Sequence, residues 1–253
     1  MVRFALFALL VTACVADRVD DSPRVGAITI ANIATTRPTA AAGNAYATFH
    51  RPVACEREFS IGPCRVTKNC ADDIGDGRYF SAGAITFTPT TEPVTLSPFS
   101  DGSYRVHASD QTLFAPGDTV AIAAEGDEVP ALANELVAPA STIVTSRIGL
   151  SPIDRTQDLE LTWTGATTGE VFVAVSGGAS IVTGFDCRLP AGLGHGTIPA
   201  AVLAQMNRQG LFSVGSVSSL KRAIDAWSIE LAVVFESTWA DGSLAQTDVE
   251  FAD

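Results

Sequence analysis

Basic residues are scarce in this chain, and the scarcity excludes whole classes of partner. Lysine and arginine total 16 against 28 acidic residues, for a formal net charge of -12. Lysine occurs only at Lys68 and Lys221, and no basic run is longer than Lys221-Arg222. Nucleic acid and anionic lipid headgroups both require a basic patch, so neither is an expected partner. Histidine is as sparse: His50, His107 and His195. His107 falls on the polar face of a predicted strand, and His195 sits between Gly194 and Gly196. A catalytic imidazole needs rigid support, which flanking glycines do not give. The chain has no G-x-S-x-G elbow and no strand–glycine loop–helix phosphate cradle. No cofactor is expected, and downstream of residue 14 no run of 18 apolar residues is present to cross a bilayer.

What is present begins at the first residues. Arg3 is a short basic region, Phe4 to Leu10 an apolar run too short to span a membrane, and Val11-Thr12-Ala13-Cys14 follows. These four residues resemble the lipobox of bacterial lipoproteins. The resemblance implies a signal peptide over 1–13, cleavage before Cys14, and lipid on Cys14 that holds the protein to a membrane. Val15, rather than Asp, follows Cys14. By the family's sorting habit that implies the outer membrane, with the protein at the cell envelope. Residues 14–23, with Asp17, Asp20 and Asp21 and no apolar periodicity, read as a solvated tether.

With Cys14 assigned to lipid, an even four cysteines remain: Cys55, Cys64, Cys70 and Cys187. Outside the cytoplasm an even count reads as a disulfide framework. Three of them fall in the 16-residue window 55–70, so a local bridge is expected, Cys64–Cys70 or Cys55–Cys70. Cys187 would then pair with the remaining thiol and join the two halves of the chain. Zinc is disfavoured, because the spacings of eight and five residues fit no knuckle or ribbon and the window holds no His.

The remainder is strand-rich. At 47% hydrophobic and 17% charged residues, the chain has material for a core and is not disordered throughout. Period-two alternation recurs at Ile28/Ile30, Ile85/Phe87, Tyr104/Val106/Ala108 and Val120/Ile122. Asp76-Gly77, Asp101-Gly102 and Pro116-Gly117 fall between these runs, and Asp-Gly predicts type I′ hairpins. An Ala/Pro-rich stretch ending at Pro139 marks a boundary, giving units over 24–139 and 140–253.

The second unit opens with Leu159, Leu161 and Trp163 on one face, then Val171, Val173 and Val175. Over about twenty residues this resembles the start of a fibronectin type III or related immunoglobulin-like sandwich. The resemblance implies that Trp163 packs under the following strand. Tyr46, Tyr79 and Tyr104 all lie in the first unit, so the second lacks a tyrosine corner, and "immunoglobulin-like" is the fitting name. Thr197-Ile198-Pro199 introduces a predicted helix through Met206, ended by Gly210 and apolar at Val202, Leu203 and Met206. The longest strand signal, Trp227, Ile229, Leu231, Val233 and Phe235, comes next, with Leu231 expected to share a sandwich with Trp163.

The fold expected is all-β: two tandem immunoglobulin-like sandwiches with one short helix in the second. The function expected is a non-enzymatic surface binding or structural module, held to the membrane through Cys14, with a protein or glycan ligand. The alternative is a secreted hydrolase using a carboxylate site that leaves no local motif. Asp72, Asp73 and Asp76 are weak calcium candidates: Ile74 and Gly83 occupy positions where an EF-hand needs oxygen ligands, and exposed Asp-Gly turns explain the segment better. Trp239, near a hairpin tip, is an aromatic that could meet glycan or protein.

Overall fold

The computed structural model describes residues 23–33, 42–53, 55–71, 78–88, 93–149, 151–177 and 181–252. Cys14, the tether up to residue 22, and Asp72, Asp73 and Asp76 lie outside them. In chain order the strands begin with β1 (Arg24–Ile33), β2 (Gly43–His50), β3 (Cys55–Ile61), β4 (Cys64–Ala71), β5 (Ile85–Thr88), β6 (Val94–Leu96), β7 (His107–Ser109), β8 (Thr119–Ala124) and β9 (Leu132–Val137). They continue with β10 (Ile143–Val144), β11 (Ile153–Asp154), β12 (Leu159–Thr164), β13 (Glu170–Gly177), β14 (Ile181–Pro190), β15 (His195–Ile198), β16 (Gln209–Ile224), β17 (Trp227–Glu236), β18 (Thr238–Trp239) and β19 (Gln246–Ala252). A single-turn helix, α1 (Ala200–Leu203), separates β15 from β16.

These strands form an all-β sandwich built on one wide sheet. Its eleven strands run β3-β4-β14-β13-β16-β17-β1-β2-β7, with β19 beside β16 and β11 beside β19. Two four-stranded sheets, β6-β5-β8-β9 and β15-β12-β10-β18, bury an apolar core each against it. The first core holds Ile28, Ile30, Phe49, Ile85, Phe87 and Ile122; the second holds Val171, Val173, Phe185, Leu161, Trp163 and Phe212. The sixteen-residue β16 serves both. Because side chains alternate along a strand, its even positions share one face. Phe212 and Val214 enter the second core, Ser216 Oγ donates to the Ala140 carbonyl at 2.5 Å, and Ile224 packs on the first core. Both small sheets therefore cover the same face of the large one.

The expected cut at Pro139 is crossed twice. β17 pairs in parallel with β1 (Ile28 with Leu231, Ile30 with Val233) and gives its odd-numbered residues to the first core. The β3–β4 hairpin pairs with β14 and gives Cys64 and Val66 to the second. Trp163 and Leu231, expected together, are thus corrected to different cores. The reason is the long-range β1–β17 ladder, which carries Leu231 to the other sandwich.

Three local expectations also change. At Asp101-Gly102 and Asp241-Gly242 only the glycine has positive φ (82° and 78°). These are therefore type I turns closed by a left-handed glycine rather than type I′. In each, the Asp carboxylate accepts from the backbone N–H of the following Ser, Ser103 or Ser243, at 3.0 and 2.9 Å. The strand around Val106 is short: β7 begins at His107, and Val106 is exposed. The helix spans only Ala200–Leu203, although Val202, Leu203 and Met206 are buried against the second core as the pattern implied.

Candidate functional site

The paired thiols come first. Cys55–Cys70 ties β3 to β4, and Cys64–Cys187 ties β4 to β14. The local bridge is thus the Cys55–Cys70 alternative, and Cys187 takes the remaining thiol. Each bridge links directly opposite residues of adjacent strands. The hairpin that crosses to the second core is fastened there covalently.

The histidines do not converge. His50 Nδ1 contacts the Arg51 carbonyl at 2.5 Å, His107 is exposed on β7, and His195 Nδ1 contacts the Leu193 carbonyl at 3.0 Å. Among the described residues no group of three or more His, Cys, Asp or Glu is placed to hold a metal.

A charged cleft lies on the uncovered face of the large sheet. Here β4, β13, β14, β16 and β17 present Arg65, Glu170, Asp186, Arg188, Lys221 and Glu230 around a cavity of about 450 Å³. Register brings them together: Asp186 stands opposite Arg65, and Lys221 opposite Glu230. Arg188 Nη2 donates to Glu230 Oε1 at 3.0 Å, while its guanidinium carbon lies 6.0 Å from the centre of the Phe172 ring. Arg188 Nη1 is buried and takes no hydrogen bond. Arg65 pairs with Glu58 at 2.9 Å, which holds the guanidinium firmly protonated. Burial pushes the Asp186 carboxyl above the ordinary carboxylate range, and the nearby Arg188 and Arg65 offset this only in part. The cleft therefore holds one carboxyl with a raised proton affinity, Asp186, near a second carboxyl, Glu230, that is paired with an arginine.

Next to this cleft the same face turns apolar. Ala31, Val217, Ala232 and Val234 are buried there, with Phe172 against them. Gly215 makes room for that ring, since a Cβ at this position would lie 2.2 Å from it. Glu236, opposite Gly215, is pushed up to about 7 by burial alone. None of Asp186, Arg188, Glu230 and Glu236 was singled out by sequence reasoning. On alternating strands each resembles any residue of a solvated face, and only the register assembles them.

Trp239 is half-buried on β18 at the wall of a separate cleft, with Val144 and Ile148 beside it.

No family model matches the chain, and no curated protein does. Among solved structures it is similar to the yeast delta-COP-I mu-homology domain complexed with Dsl1 WxWxV peptide. The identity is 10% over 88% of this chain and 98% of that one, and the TM-score is 0.15, too low to bear on fold or function.

Proposed function

We propose that this chain is an extracytoplasmic lipoprotein of the cell envelope, anchored to the outer membrane by lipid on Cys14, and that it works as a non-enzymatic surface module for binding or structure. On this reading the two cores are immunoglobulin-like sandwiches that share the one wide sheet. The observation that carries the reading is the pair of disulfides, Cys55–Cys70 and Cys64–Cys187, on an all-β scaffold. Thiols oxidised in pairs speak for a compartment outside the cytosol, and the residues before Cys14 supply the anchor. Loops and sheet edges on such a scaffold are the surfaces recognition uses. The test is detergent-phase partitioning of protein made in a bacterial host. The wild type is expected in the detergent phase and Cys14→Ser in the aqueous phase. Equal partitioning overturns the reading.

The charged cleft favours a second reading, a carboxylate hydrolase. Asp186 would hold the transferable proton, and Glu230, held by the Arg188 guanidinium at 3.0 Å, would act as base or nucleophile. A panel of glycoside, ester and peptide substrates decides between the two. Turnover abolished by both Asp186→Asn and Glu230→Gln, with folding intact, establishes the hydrolase; no turnover leaves the binding module.

A further inference from the structure

We propose that the cleft between β10 and the turn after β18 is a binding site for a neutral saccharide. It is formed by Val144 to Ile148 on one side and Trp239 to Asp241 on the other, and encloses about 330 Å³. That lies toward the small end of the ~300–1,000 Å³ typical of small-molecule sites, which suits a mono- or disaccharide.

The lining is apolar below and polar at the rim. Val144 is buried, and Ile148 and Trp239 pack against the second core. Thr145, Arg147 and Asp241 are exposed at the mouth. A sugar ring has the matching surface: a C–H face to lie on an indole, and hydroxyls around its edge to meet polar groups. A hydrocarbon would strip water from the rim without replacing its hydrogen bonds. A polyanion is disfavoured by the net charge of -12, and the rim itself carries one cation and one anion, Arg147 and Asp241.

The cradle is held in place before any ligand arrives. The Trp239 backbone N–H donates to the Ser243 carbonyl at 2.8 Å, and the Trp239 carbonyl accepts from Gly242 N–H at 2.9 Å. Parallel pairing sets Val144 opposite Trp239. At the rim, Thr145 Oγ1 lies 2.7 Å and Ser146 Oγ 3.0 Å from Thr162 Oγ1, and Ser146 Oγ accepts from Thr162 N–H at 2.6 Å. Backbone and hydroxyl groups held this way reduce the entropy lost on binding.

The proposal deepens the binding-module reading but does not depend on the lipid anchor. Intrinsic fluorescence reports on it directly. Trp163 and Trp227 are buried, so Trp239 is the tryptophan placed to sense a ligand. Full-length protein in detergent is titrated with neutral gluco-, manno-, galacto- and N-acetylglucosamine oligomers, with a sulfated glycan as the charged comparison. A saturable spectral shift with at least one neutral oligomer is expected. Arg147→Ala, an exposed change outside the core, should weaken it about tenfold; Trp239→Phe should retain binding detected calorimetrically, and Trp239→Ala should lose it. Cys14→Ser should bind as the wild type does, which separates failure of this site from failure of the anchor. No saturable response to any neutral oligomer, a response to the sulfated glycan alone, or undiminished binding in folded Arg147→Ala and Trp239→Ala variants overturns the proposal.

Discussion

Removing the two disulfides one at a time should destabilise the protein by unequal amounts, in an order that the loop lengths fix. Cys55 and Cys70 are separated by 15 residues, Cys64 and Cys187 by 123. Cross-linking restricts the unfolded chain more as the closed loop lengthens. Chain-entropy arithmetic then gives about 3 kcal/mol for the short loop and about 5 kcal/mol for the long one. Packing adds in the same direction: Cys64 and Cys187 are buried in the second core, whereas Cys55 is half-buried on the edge strand. Alanine pairs avoid leaving a buried hydroxyl. Urea denaturation of Cys55→Ala/Cys70→Ala and of Cys64→Ala/Cys187→Ala, each with the other bridge oxidised, measures both costs. The second pair should lose more by about 2 kcal/mol, from the difference between the two loop entropies. Under mild reductant Cys55–Cys70 should open first, because thiolate attack requires access. An equal or smaller loss for the Cys64–Cys187 variant would refute the reasoning and place the stabilisation in native contacts.

Two further outcomes follow from the cores and the outer face. Glu236 binds its proton more tightly folded, at about 7, than the ordinary 4.5. Its contribution is complete below pH 4.5 and is lost as pH rises toward 7. Glu236→Gln should therefore flatten the pH dependence of melting across that window and add up to about 3 kcal/mol at pH 8; an unchanged slope removes Glu236 as the cause. Trp163→Ala, which also loses the 2.9 Å bond from Nε1 to the Ala191 carbonyl, should cost roughly 3–5 kcal/mol, and Leu231→Ala roughly 2–5 kcal/mol. Because these residues lie in different cores the losses should add in the double variant, and strong non-additivity in equilibrium denaturation would contradict the separation.

Much of the local structure was legible because strand periodicity is written residue by residue. Trp227 through Phe235 alternates so regularly that β17 could be bounded from sequence, and Leu161, Trp163, Val171, Val173 and Val175 all point inward as their spacing implied. Pairing was not legible in the same way. Nothing near Ile28 signals that Leu231 lies beside it, and the composition change at Pro139 invites a cut that the β1–β17 ladder and the β3–β4 hairpin both cross. Cys187 was the one trace of that crossing, since an even thiol count required it to reach back to the window at 55–70. The charged cleft had no local trace. Asp186 and Arg188 are two apart on β14 and Glu230 sits on a strand not adjacent to it, so only the finished sheet could bring them together.

The parallel run of β1 along β17 has a mechanical consequence. Arg24, where β1 starts, pairs with Trp227, while the far end of β17 leads straight to Trp239. In a chain held to a membrane through Cys14 and gripping a ligand at Trp239, tension would pull these two ends apart along the strand axis. The ladder from Arg24–Trp227 to Ile33–Glu236 would then be loaded in shear, its hydrogen bonds strained together rather than peeled one by one. The junction between anchor and grip would thus resist force through the whole ladder at once.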